Sequence, residues 1–148
     1  ATQLEYLKSH EDAVLIANDR AAVATVVTDF SLKQLLVEDA VYRARILIAV
    51  GKVQTVNDKS RTLLSDIQKA HQAEEATSLV TAKRDRAYAE TSTYIEQTES
   101  LLLETLSTKY TTDKEFTIGQ YNQIAKSINE PYVSAQKAIG FLEELLSL

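Results

Sequence analysis

The sequence predicts an all-α protein, an elongated antiparallel up-down four-helix bundle built as a single domain over residues 1–148, with its last helix kinked or split at Pro131. Three observations predict it. Only three glycines and one proline in 148 residues leave few places for the chain to turn. Apolar residues recur at three- and four-residue steps, the period of one helical face. The composition, 45% hydrophobic and 25% charged, is that of a folded chain with enough apolar surface for a core.

The first segment runs from about Thr2 to Asp29, with Leu4, Leu7, Val14, Ala17, Ala21, Ala24 and Thr28 on one face and a local break expected near Ser9. A boundary is expected at Phe30–Ser31. Ser31 and Gln34 have the spacing of a capping box, and Phe30 with Leu35 that of a hydrophobic staple, so a second helix is expected to start at Leu32. From Ile46 its apolar residues fall on a heptad seam of Ile46, Ala49, Val53, Val56, Ser60, Leu63, Ile67 and Ala70. The seam weakens into Gln72, Glu74 and Glu75, which places a turn near Ala70–Thr77.

A third helix is expected from there to about Lys109, with Val80, Ala87, Thr91, Tyr94, Ile95, Thr98, Leu101, Leu102 and Thr105 inward. Thr111 and Thr112 mark the next break, and Thr112 with Glu115 repeats the capping-box spacing. The last segment carries Phe116, Tyr121, Ile124 and Ile128 before Pro131, and Ala135, Ala138, Leu142 and Leu145 after it. Pro131 either kinks one helix or opens a fifth, because its ring removes a backbone donor and fixes φ.

Composition also excludes chemistry. Without cysteine there is no disulfide, zinc ribbon, iron–sulfur cluster or thiol nucleophile. A net charge of −5 disfavours nucleic acid as a partner. The longest clean apolar run, Ile46-Leu47-Ile48-Ala49-Val50, is far short of the roughly 20 residues of a membrane span. Di-metal bundle sites need a Glu-x-x-His on each of two helices. Here Leu7 stands three residues before His10 and Gln68 three before His71, so that site cannot be built and no cofactor is expected. His71 with Glu74 and Glu75 reads as a solvated helix end, and His10 beside Glu11 and Asp12 in the same way. Lys83-Arg84-Asp85-Arg86 reads as the exposed side of the third helix, and Tyr88, Tyr94, Tyr110, Tyr121 and Tyr132 as core-edge packing.

The candidate site rests on small inward-facing residues. Thr91, Thr98 and Thr105 recur every seven residues, and the first segment carries Ala17, Asn18, Ala21, Ala22, Ala24 and Thr25. Two such faces either approach closely or leave room for an apolar guest oriented by a few polar groups. The expected ligand-binding residues are Asn18, Ala21, Thr25, Tyr94, Ile95 and Thr98. The function expected from these features is non-enzymatic: carriage or sensing of a small apolar ligand between helices. The alternative is a structural or protein-interaction module that self-associates, as a homodimer, through an exposed heptad stripe. The absence of cysteine and methionine leans toward a secreted or periplasmic setting.

Overall fold

The computed structural model describes residues 2–110 and 116–148. Those residues are helical throughout apart from short connections, with no strand among them. In chain order the elements are α1 (Thr2–Ile16), α2 (Arg20–Gln72), α3 (Ser78–Glu104), a π-helical segment (Thr105–Tyr110) that continues α3, α4 (Ile118–Ser127) and α5 (Asn129–Leu146). The fold is therefore all-α. The chain divides into two compact units, one comprising residues 1–45 and 112–121, the other residues 46–111 and 122–148.

Two boundaries differ from the sequence expectation. The first break falls at residues 17–19, not near Ser9 or at Phe30, and α2 starts at Arg20 instead of Leu32. The reason lies in which side chains reach a free amide. Asp19 accepts from the Ala22 amide at 2.7 Å, three residues on, and so caps α2. Ser31 instead donates its hydroxyl to the Val27 carbonyl, Gln34 bonds Glu38, and Lys33 pairs with Asp29 one turn back. Each would-be capping group is spent inside a continuous helix.

The turn after α2 falls within the expected span, with Thr77 capping α3 through its hydroxyl to the Val80 amide. Thr111, Thr112 and the expected Thr112–Glu115 box lie outside the described residues. A capping box does form slightly later. Gln120 donates its amide to the Thr117 hydroxyl, while the Thr117 amide and hydroxyl both donate to the Gln120 side-chain oxygen, and α4 begins at Ile118. Pro131 is buried in the first turn of α5, where a missing N–H removes no interior helical bond.

In the first unit, α1 lies on one face of the N-terminal part of α2. The Tyr6 hydroxyl donates to Asp29 at 3.2 Å, Lys33 lies over the Tyr6 ring, and His10 packs between the rings of Tyr6 and Phe30. Phe116 is buried in the same unit, with its amide donated to Asp39 and its ring under Arg43.

The second unit holds the core. α2 buries Ile46, Val50, Val53, Asn57, Ser60, Leu64 and Ile67, alternating steps of four and three. This is the expected seam in a different phase. Val50, Asn57 and Leu64 take the places assigned to Ala49, Val56 and Leu63, because neighbouring positions are both plausible in a 3.5-residue repeat. α3 contributes Ala87, Thr91, Ile95, Thr98 and Leu102, and α5 contributes Ala135, Ala138, Leu142 and Leu145.

Candidate functional site

The six residues expected to line a ligand site are divided between the units. Asn18, Ala21 and Thr25 lie in the first and are solvent-exposed; Thr25 donates its hydroxyl to the Ala21 carbonyl at 3.0 Å. Tyr94, Ile95 and Thr98 lie together on α3 in the second, with Ile95 and Thr98 buried. The Thr98 hydroxyl and the carbonyls of Tyr94 and Ile95 are already engaged. Thr98 donates to the Tyr94 carbonyl at 2.7 Å, Ser134 of α5 donates to that same carbonyl, and the Ile95 carbonyl accepts from Asn57 at 3.1 Å. Tyr94 stacks on Phe141, with Lys137 over its ring. Thr91 and Thr105 also return their hydroxyls to carbonyls one turn back. The seven-residue threonine row thus presents methyl groups to the core, with its hydroxyls satisfied locally. Because Thr98 is fully buried, Thr98→Leu is expected to overpack the core and lower stability by about 1–3 kcal/mol, checked by urea denaturation.

One member of the basic cluster on α3, expected on the exposed side of the helix, is buried. Arg84 is 7% exposed; Lys83 and Arg86 are exposed. One terminal nitrogen of Arg84 donates to Glu74 at 2.7 Å and to the Leu148 carbonyl at 3.0 Å. The turn after α2, the start of α3 and the segment after α5 are thereby tied together. Arg86 pairs with Glu144 of α5. Beside Arg84 lies a polar pocket of about 490 Å³ whose lining includes His71, Glu74, Asp85 and Tyr88. His71 Nδ1 and the Tyr88 hydroxyl share a hydrogen bond of 2.7 Å. Burial raises the Tyr88 phenol above its ordinary pKa; Arg84 opposes this, and Asp85 and Glu74 add to it. In the first unit partial desolvation likewise raises the half-buried Tyr6, reinforced by its bond to Asp29.

Two apolar surfaces were not singled out by sequence reasoning. One is a groove of about 320 Å³ between α2 and α5, lined mainly by Val53, Val56, Tyr132, Ala135 and Ile139. The other is larger. From Gln3 to Arg45 no described side chain is buried, although the segment carries Leu15 and Ile16 at the end of α1 and Val23, Val27, Leu32, Leu35, Leu36 and Val41 on α2, all exposed. On α2 the face turned away from α1 holds Ala21, Thr25, Thr28, Leu32 and Leu35, at steps of four, three, four and three. Thr28 donates to the Ala24 carbonyl at 2.8 Å, as Thr25 does to Ala21, so this stripe carries no unmet hydrogen-bonding demand. The signal was in the sequence. A helix that ends at Asp29 with this face inward conceals the continuation of the stripe through Leu32 and Leu35.

Among the described residues no group of three or more His, Asp or Glu side chains converges to hold a metal ion. No described helix is long and apolar enough to cross a membrane. No protein-family model, curated protein or solved structure matches this chain.

Proposed function

We propose that this protein is a non-enzymatic interaction module, working in a secreted or periplasmic setting, that binds through the apolar stripe of α2 in its first unit. One observation carries the reading: α1 and the part of α2 up to Arg45, together rich in leucine and valine, bury none of their described side chains. Folded chains rarely leave a contiguous aliphatic surface of this kind open unless something covers it. In the second unit α2, α3 and α5 run up, down and up, each antiparallel to the next, with α4 and α5 broken apart ahead of Pro131. The pairings of Asn57 with Ile95, His71 with Tyr88, Tyr94 with Ser134, and Arg86 with Glu144 support that order.

An apolar fluorescent dye tests the open face. At high dilution the wild-type chain is expected to enhance its emission strongly, and the Leu32→Glu, Leu35→Glu double variant to lose most of that enhancement with unchanged helix content. Equal, weak emission from both proteins would end the reading. A second reading, carriage or sensing of a small apolar molecule, is favoured by the groove between α2 and α5. Its expected result is saturable binding of a fatty acid or sterol at micromolar concentration, weakened by Val56→Gln; no binding by native mass spectrometry would remove it.

A further inference from the structure

We infer that the partner covering the α2 stripe is a second copy of this chain, packed antiparallel about a two-fold axis at residue 30; this rests on the interaction reading above. The argument begins with spacing. The seam positions Thr25, Thr28, Leu32 and Leu35 follow steps of three, four and three, a series that reads the same in both directions. An antiparallel two-fold therefore maps the seam onto itself, as an isologous interface requires. It sets Thr28 against Leu32 and Thr25 against Leu35 of the other copy.

Side-chain size supports the same direction. The stripe is small at its N-terminal end and large at its C-terminal end. Antiparallel pairing matches small against large along the whole contact and keeps the helix axes evenly spaced. Parallel pairing would crowd the leucines and leave the alanine end apart. The surface already has the matching recess. A shallow groove of about 400 Å³ is lined by Ala24, Thr25, Thr28, Asp29 and Leu32. Four of these stand at i, i+3, i+4 and i+7, the four-residue hole into which a coiled-coil knob fits. In this register the knob is Leu32 of the second copy.

Charge and area agree. Arg20 at one end of the seam is brought beside Glu38 near the other end of the second copy. Leu32, Leu35 and Leu36 are each more than half exposed, and with the alanine and threonine methyls they form a contact at the small end of specific interfaces. A dimer in exchange with monomer is the expected state. The threonine hydroxyls, already bonded within α2, need no partner across the seam.

Sedimentation of the full chain across the micromolar range tests the partner. The expected result is a concentration-dependent monomer–dimer equilibrium, lost in the Leu32→Glu, Leu35→Glu variant, whose helix content should not change because both positions are exposed. A chain that stays monomeric while still binding the apolar dye overturns the second copy but leaves the interaction reading standing. Weak dye emission from both proteins, with no dimer, defeats both. Dimerisation that persists in the double variant overturns the face. Single cysteines test the direction, since the chain has none of its own. Ser31→Cys, next to the two-fold, is expected to form a disulfide-linked dimer under mild oxidation, and Glu38→Cys to form none. Cross-linking of Glu38→Cys as readily as Ser31→Cys would overturn the antiparallel register.

Discussion

Replacing Asn57 with leucine is expected to make the protein more stable, raising the thermal unfolding midpoint by about 2–8 °C. Asn57 is fully buried on the α2 seam between Val53 and Ser60. Its side-chain nitrogen donates to the Ile95 carbonyl, but its oxygen is buried without a hydrogen-bond partner among the described residues. An unsatisfied buried acceptor costs about 1–3 kcal/mol, and an apolar side chain at the same seam position removes that cost while adding buried area. Asn57→Ala separates the two contributions. It also removes the acceptor but leaves a void, so its midpoint is expected to lie well below that of the leucine variant. Calorimetry of the three proteins decides the matter, and a lower midpoint for Asn57→Leu than for wild type would show that the seam relies on the amide. The cost of Asn57 is expected to be offset by specificity. A polar residue at one seam position fixes the register in which helices pair. The leucine variant is therefore expected to be more stable and less uniquely packed, seen as broadened amide resonances along α3.

Loss of Arg84 is expected to have the opposite sign. Arg84→Ala should destabilise the fold by about 2–4 kcal/mol, through loss of two charge-assisted hydrogen bonds and of the packing of its buried stem. Its contacts join the turn after α2 to the segment following α5, so the damage should spread beyond α3. Hydrogen exchange is expected to accelerate both in the first turns of α3 and in the last turns of α5. Arg84→Met keeps the packing and removes the charge, and should cost less than half as much, since an apolar replacement escapes the desolvation of a buried cation. Glu74→Gln should be milder still, because Glu74 is half-exposed and its carboxylate is solvated either way. Equal losses for Arg84→Ala and Arg84→Met, measured by urea denaturation, would assign the effect to charge and not to packing.

Not every position was equally legible. Helical character was plain because it depends on local features, the scarcity of glycine and proline and a repeat near 3.6 residues. The capping group of α2 was not, because Ser31–Gln34 and Asp19 both offer acceptable local chemistry. Only the continuous path of α2 past Phe30, with Phe30 packed on His10 of α1, decides between them. Arg84 was similarly hidden. In sequence it is one of four neighbouring charged residues, and its burial depends on Glu74 and Leu148, ten and sixty-four positions away. The candidate ligand stripes were recognised as rows of small residues, but a row alone does not say whether it meets a helix, a guest or water. Thr98 is buried and Thr25 is exposed, though the two have the same local signature and the same bond to the carbonyl one turn back.

The sequence by itself determined that the chain is all-helical, roughly where α2 gives way to α3, and that one side of α2 carries a heptad repeat. These follow from backbone propensity and side-chain period, which act within a few residues. Only the tertiary structure decided the phase in which that repeat is buried, which cation goes inside, and which aliphatic face is left open. Those outcomes depend on helices distant in sequence, which select one stripe from several that local chemistry makes equally acceptable.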